Sequence, residues 1–382
     1  MESETAQETV NSIKKGKKLD KTLLILFKAM NECQASDLHL KEGLVPHMRV
    51  NSELRSIKLD PVGTDGMKRI CDSLMSDEQK EIFRRHGCVD LAYELDRGDR
   101  FRINIFRQRG DISLVARRIT RNIPSFDDLH LPEEVSSLVN FHTGLVLLAG
   151  PTGCGKSSTI ASMLDYMNQH NRYHIVTIED PIEYLYESKK SLVNQREVGT
   201  DVPDFDTAMR SVLREDPDIV LIGEMRDRET FETALRAAET GHLVFGTIHA
   251  SSAAQTVTRI LDLFESENHK QILQGLSHNL LAVICQKLLP SVKEGVRRVP
   301  AVEVMRTNPT VRDLLSKNEV AKLKDLVSAS QGDGMISFTK SIYDLIEKDM
   351  IEPKVGLEAT PNQEELQMMM KGISQSRRGL IG

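Results

Sequence analysis

The segment Gly150–Ser157, with the sequence GPTGCGKS, constrains the fold of this chain more than any other. It matches the phosphate-loop pattern G-x-x-x-x-G-K-[ST] at every fixed position. The apolar run 145–149 precedes it and predicts a buried strand, and the helix-permissive stretch 157–168 follows it. In such a loop, backbone N–H groups and a helix N-terminus bind phosphate oxygens. The three parts together predict an α/β domain that binds a nucleotide.

The same segment supplies the predicted ligand-binding residues. Lys156 is expected to reach the β- and γ-phosphates of ATP, and the Ser157 hydroxyl is expected to bind Mg²⁺. The full set of predicted nucleotide-binding residues is Gly150, Thr152, Gly153, Cys154, Gly155, Lys156, Ser157 and Ser158. Cys154 stands where a loop of this kind needs only a small residue, because the backbone makes the contacts there.

Length and charge limit the possible classes of protein. The chain has 382 residues, enough for two or three domains. Its formal net charge of -6 argues against a dedicated nucleic-acid binder. The five cysteines form no C-x-x-C pair, which favours reduced thiols in a cytosol. No apolar run approaches the ~20 residues of a membrane helix, so we expect no direct membrane insertion.

The residue pattern changes along the chain. A helical stripe over 21–34, alternating stretches near 37–40, 47–50, 89–95, 100–106 and 112–118, and a helical stretch over 66–86 predict a small α+β domain. Apolar strands at 145–149, 174–178, 219–222 and 243–247 then alternate with helices and predict a parallel sheet. Beyond residue 252 the chain is expected to be mostly helical. The predicted divisions are a mobile N-terminus 1–20, domains 21–119 and 138–360, a linker 120–137 and a polar tail 361–382.

Carboxylates follow one of the predicted strands. Residues 175–184 read IVTIEDPIEY, so Glu179 and Asp180 end the strand and Glu183 follows a proline turn. Acids at the carboxyl end of a parallel strand face the ligand crevice, where one of them could orient or deprotonate an attacking water. The pattern alone does not choose between Glu179 and Glu183, and a solvated acidic turn is an equal alternative.

Two further strands end in polar residues. Residues 216–227 contain the apolar run 219–222 followed by Gly223 and Glu224, which is typical of a Walker B strand with its acid moved to Glu224. Residues 241–249 place His242 before an apolar strand and His249 after it. We expect His249 to sense the γ-phosphate and include His242 among the catalytic candidates. A metal site formed by the two histidines is not expected.

These motifs resemble those of the type II/type IV secretion-system ATPases, and among them the type IV pilus retraction ATPases of the PilT group. The resemblance extends from about residue 20 to about residue 350. It includes NQREVG at 194–199, AAETGH at 237–242, SDLH at 36–39 and RFRIN at 100–104.

The resemblance implies a RecA-like C-terminal domain with a smaller PAS-like α+β N-terminal domain, assembled as a homo-hexamer. It implies Mg²⁺-dependent ATP hydrolysis, with Glu183 as general base, Glu224 as Walker B acid, and N-domain arginines such as Arg102 near the nucleotide. It further implies pilus retraction in twitching motility, driven from the cytoplasmic face of the inner membrane against a platform protein.

Two alternatives stay open at this point. The run 123–132 is also similar to the accessory PilU paralogues, which predicts a subunit that binds nucleotide and co-assembles with another retraction ATPase. A nucleic-acid motor on the same core is disfavoured by the acidic charge balance. The four-cysteine zinc element and the longer N-terminal region of assembly ATPases are not found in this sequence, which favours the retraction branch.

Overall fold

The computed structural model describes residues 19–50, 53–95, 99–330 and 333–372. Residues 1–18 of the predicted mobile N-terminus and 373–382 of the predicted polar tail lie outside this range. The chain divides into two compact units, Met1–Arg121 and Asn122–Gly382. Across the described residues, every helix is too short or too polar to span a membrane.

The first unit is built on an antiparallel sheet with the strand order β3-β2-β1-β6-β5-β4. The apolar stripe predicted over 21–34 forms the buried face of a helix, where Phe27 stacks on Phe101 with ring centroids 3.9 Å apart. The strands are β1 (Asp37–Lys41), β2 (His47–Val50), β3 (Glu53–Ser56), β4 (Cys88–Glu94), β5 (Arg100–Gln108) and β6 (Asp111–Ile119). The helices are α1 (Lys21–Glu32), α2 (Thr64–Leu74) and α3 (Asp77–His86).

Two details of this unit differ from the sequence expectation. The single helical stretch 66–86 is two helices, because Ser76 and Gln79 form a reciprocal capping box that starts α3. The expectation also lacked β3, whose four residues are all exposed and therefore show no apolar alternation.

The second unit contains a sheet with the order β13-β12-β7-β11-β10-β8-β9. Strands β7 to β12 run parallel to their neighbours, and β13 pairs antiparallel with β12. Apolar cores cover both faces, as near-continuous apolar strands require. The strands are β7 (Gly144–Ala149), β8 (His174–Glu179), β9 (Leu192–Glu197), β10 (Ile219–Ile222), β11 (Leu243–Ile248), β12 (Leu280–Pro290) and β13 (Arg298–Arg306).

Helices surround this sheet and continue to the end of the described chain. They are α4 (Glu133–Ser136), α5 (Lys156–His170), α6 (Phe205–Val212), α7 (Arg228–Glu239), α8 (Ala253–Leu261), α9 (His269–Asn279), α10 (Pro309–Ser316), α11 (Leu323–Ala329), α12 (Phe338–Glu347), α13 (Pro353–Ala359) and α14 (Gln363–Met370). Short 3₁₀ segments are Ser137–Asn140, Ser266–Asn268 and Val320–Lys322. Within the segment expected to be a polar tail, α14 buries Leu366.

Helices are the main elements beyond residue 252, as expected, but the expectation lacked β12 and β13, which form a long hairpin there. Their sequences, LLAVICQKLLP and RVPAVEVMR, are apolar on both faces, and a doubly buried strand cannot be distinguished from a buried helix by periodicity.

Residues 122–137, within the segment predicted as a linker, pack on the second unit. The Ser162 hydroxyl donates a 2.6 Å hydrogen bond to the Pro124 carbonyl, and Val135 is fully buried.

Candidate nucleotide site

Four loops meet at the carboxyl edge of the parallel strands in the second unit. They follow β7, β8, β10 and β11, and they carry the phosphate loop, the acidic loop, Glu224 and His249. A pocket of about 490 Å³ lies between them. It is lined by Thr152, Gly153, Gly155, Lys156, Ser157, Ser158, Glu179, Asp180, Pro181, Glu183, Phe205, Gly223, Glu224, Arg226, Thr247, His249, Leu288 and Arg298.

Two hydrogen bonds of Lys156 and the backbone angle φ of Gly155 shape the phosphate loop. Gly155 has φ +93° directly before the first residue of α5, a conformation that side chains on Cβ disfavour. The Lys156 ammonium donates hydrogen bonds to the Gly150 and Pro151 carbonyls, at 2.7 and 3.2 Å. The lysine therefore folds over the loop on the pocket side.

The acidic loop that follows β8 forms one wall of the pocket. The Ser158 hydroxyl and the Tyr184 hydroxyl lie 2.7 Å apart and join this loop to α5. Gln195 of β9 stabilises the loop from behind, since its amide nitrogen donates to the Tyr184 carbonyl at 2.8 Å and to Glu179 at 3.1 Å. Sequence analysis had noted Gln195 only as part of a family motif.

The two glutamates of the acidic loop have different surroundings. Glu179 is 8% exposed and accepts hydrogen bonds from the Thr177 hydroxyl and the Gln195 amide. Burial raises the pKa of Glu179 to about 6, against the lowering effect of these bonds. Glu183 is exposed on the pocket wall. Both glutamates line the pocket, but the carboxyl of Glu179 is buried and hydrogen-bonded, whereas Glu183 is exposed.

Glu224 lies between two cationic or polar partners. Arg226 donates to it at 2.6 Å, and the His249 Nε2 atom lies 3.1 Å from its other oxygen. The hydrogen bond from Arg226 lowers the pKa of Glu224 and outweighs the effect of partial burial. Glu224 therefore stays a carboxylate at neutral pH.

The backbones of β8 and β10 lie close together at Gly223, the residue before Glu224. A Cβ atom on Gly223 would lie 3.1 Å from the Ile178 carbonyl oxygen and 3.2 Å from the Glu179 Cα atom. A side chain at position 223 would therefore require the backbone of β8 to shift by a few tenths of an ångström, whereas the side chain of Glu224 lines the pocket.

The structure brings most of the predicted site residues together. Lys156, Glu183, Glu224 and His249 line the pocket. Cys154 and Gly150 are buried residues of the loop that do not line the pocket.

His242 does not join them. It precedes β11 whereas His249 follows it, so the six-residue strand separates the two histidines by about 20 Å. The His242 ring lies 3.0 Å from the Ala237 carbonyl at the opposite edge of the sheet. His242 does not line this pocket, so the pocket gives no support to the prediction that it is catalytic.

Several pocket residues were not predicted. Arg226, Phe205, Leu288 and Arg298 line the pocket without belonging to a phosphate-binding motif. Leu288 and Arg298 come from β12 and β13, two strands that the sequence pattern does not predict. Only the assignment of that hairpin as two strands could have located Leu288 and Arg298 at the pocket.

Comparison with known proteins identifies the family. Residues 29–322 match the model of the type II/IV secretion system protein family. The chain belongs to this family. It is 42% identical to the type IV pilus retraction ATPase PilT of Pseudomonas aeruginosa, over 87% of this chain and 96% of that protein. It is 36% identical to the type IV pilus ATPase PilU of the same organism, over 92% of each chain.

A solved structure agrees with the fold. The crystal structure of the pilus retraction motor PilT with bound ADP has a TM-score of 0.83 and 41% identity, and the match covers 90% of this chain and 98% of that one. The predicted fold class, a RecA-like α/β domain with a smaller α+β domain before it, is confirmed by this match and by the two sheets.

Proposed function

We propose that this protein is a hexameric motor ATPase that couples ATP hydrolysis to retraction of a type IV pilus. The observation that carries the proposal is the pocket in which Lys156, Glu183, Glu224 and His249 converge beside a phosphate loop. A PilT structure of the same fold holds ADP, which supports nucleotide binding by this family.

In this proposal, backbone N–H groups of the phosphate loop and the N-terminus of α5 bind the phosphates, and Lys156 turns from its carbonyl partners to the terminal phosphates. The exposed carboxylate of Glu183 takes the proton of the attacking water. His249 lies at the end of β11 beside Glu224, where it can contact the terminal phosphate.

The residues present also fit a magnesium ion. A Ser157 hydroxyl and an ionised Glu224 carboxylate both line the pocket, and hard oxygen atoms of this kind suit Mg²⁺. When bound, the ion would neutralise charge on the phosphates. The lowered pKa of Glu224 is the structural feature that favours this assignment.

The proposed setting follows the family resemblance of the sequence. We place the motor as a homo-hexamer at the cytoplasmic face of the inner membrane, acting on a platform protein of the pilus machinery. The second candidate is an accessory subunit that binds nucleotide and co-assembles with another retraction ATPase. This second candidate is supported by the 36% identity to PilU over nearly the whole chain.

The decisive experiment is ATPase activity and ADP binding in three variants. Lys156→Ala should lose both, because the cation that meets the phosphates is gone. Glu183→Gln should bind ADP as the wild type does and lose turnover by about 100-fold or more, the usual effect of a missing general base. Glu187→Gln, in the same loop but outside the pocket lining, is the matched control and should keep full activity.

Full turnover in Glu183→Gln would remove that residue from the mechanism, and a wild type without nucleotide affinity would refute the motor. Restored twitching by a Lys156→Ala allele in a deletion strain would favour the accessory subunit.

A further inference from the structure

The strand β12 contacts the phosphate loop through one buried side chain, Gln286. This residue is 3% exposed and lies outside every motif that predicted the site. Its amide nitrogen donates a 2.8 Å hydrogen bond to the Cys154 carbonyl, and its amide oxygen accepts a 2.8 Å hydrogen bond from the Thr159 hydroxyl. One side chain thus joins the loop, the helix that follows it and the neighbouring strand.

The two bonds fix which end of the amide faces the loop. The Cys154 carbonyl can only accept a hydrogen bond, so it faces the amide nitrogen of Gln286. The amide oxygen is left to accept from the Thr159 hydroxyl, and Thr159 is 1% exposed. In a trans peptide the carbonyl and the following N–H point in opposite directions. A hydrogen bond that holds the Cys154 carbonyl toward β12 therefore turns the Gly155 N–H away from β12, to the side where Gly155 lines the pocket.

Steric contacts confirm how closely β12 approaches the loop. A Cβ atom on Gly155 would lie 2.7 Å from the Gln286 amide nitrogen. A Cβ atom on Gly150 would lie 2.7 Å from the Gln286 carbonyl oxygen. Both glycines that bound the loop are therefore in contact with the same residue of β12, one with its side chain and one with its backbone.

We infer that Gln286 is a positioning residue for nucleotide binding, which holds the Cys154–Gly155 peptide with its N–H directed at the phosphates. The inference rests on the proposed function. Without the amide donor, the Cys154 carbonyl is buried with no partner, and the peptide is free to rotate its oxygen toward the phosphate charge. Phosphate affinity should fall even where the fold is intact.

The test compares ADP affinity, measured calorimetrically with Mg²⁺, and the melting temperature of the nucleotide-free protein. Gln286→Met removes both bonds at similar volume, and Gln286→Glu places an oxygen against the Cys154 carbonyl. Both should bind ADP at least about tenfold more weakly than the wild type. Thr159→Val keeps the donor to Cys154 and should fall between the wild type and Gln286→Met.

Cys285→Ala is the matched control. Its fully buried side chain is next to Gln286 on β12 but belongs to the core on the other face of the sheet. It should lower the melting temperature and leave ADP affinity unchanged. If both Gln286 variants bind ADP within threefold of the wild type, this inference is overturned and the proposed function is not affected. An equal loss of affinity in Cys285→Ala would overturn it as well, because general destabilisation would then explain the effect. A wild type that does not bind ADP would refute the proposed function itself.

Discussion

At the scale of single residues, the site separates groups of the same chemistry by their surroundings. Glu179 and Glu183 are four positions apart, and both line the pocket. Glu179 is buried and accepts hydrogen bonds from Thr177 and Gln195, whereas Glu183 is exposed. The sequence shows both as acids after a strand, and no pattern in it tells which one is buried. The resemblance to known ATPases selected Glu183, and the exposure of its carboxylate supports that selection.

The surroundings of Glu179 give a pH-dependent prediction. Its pKa is raised to about 6 from an ordinary 4.5, so the folded protein favours the protonated form. Folding stability from this group is therefore present at low pH and lost as pH rises through about 6. Glu179→Gln keeps an oxygen that accepts from Thr177 and Gln195, but it does not titrate. Urea unfolding should show the wild type losing about 1.5 kcal/mol relative to this variant between pH 4.5 and pH 7. A difference that stays constant over this range would contradict the raised pKa.

At the scale of elements, the hairpin of β12 and β13 explains most of what sequence reasoning missed. The phosphate loop, the acidic loop and the strands that precede them were predictable, because glycine spacing and apolar runs bounded by polar residues are local signals. Gln286 acts from β12 on Thr159 and Cys154, which are more than 100 residues away in sequence. Leu288 and Arg298 reach the pocket from the same hairpin. Their contribution depends on which strands are neighbours, which a single sequence does not state.

The same hairpin holds the loop that carries His249. Glu303 of β13 is 7% exposed and accepts a 2.7 Å hydrogen bond from the Ala253 N–H, at the first residue of α8. Burial raises the pKa of Glu303, so a neutral acceptor should serve nearly as well. We expect Glu303→Gln to keep stability and turnover, and Glu303→Leu to lose about 1–3 kcal/mol because the N–H is left unsatisfied. Thermal unfolding and ATPase assays check this. Equal stability of the two variants would show that the bond has no net effect.

At the scale of the whole molecule, Lys156, Glu183, Glu224 and His249 of one chain line the same pocket. His242 lies at the opposite edge of the same sheet. Each polar side chain assigned to the proposed ATP chemistry lies in the second unit. The first unit contributes its own sheet and core. The sequence predicts a ring only through its resemblance to the secretion ATPase family, so assembly needs a test separate from that of the pocket.

Assembly gives the last prediction. If nucleotide binding organises a ring, light scattering should give a mass six times the 43.0 kDa subunit in the presence of ADP and Mg²⁺. The physical reason is linkage: a ligand that binds the assembled form better shifts the population toward it. Lys156→Ala, which should not bind ADP, is expected to show the same mass with and without nucleotide. If the wild type binds ADP and stays a monomer at all protein concentrations, nucleotide binding does not organise a ring. The accessory subunit would then be the better description of this chain.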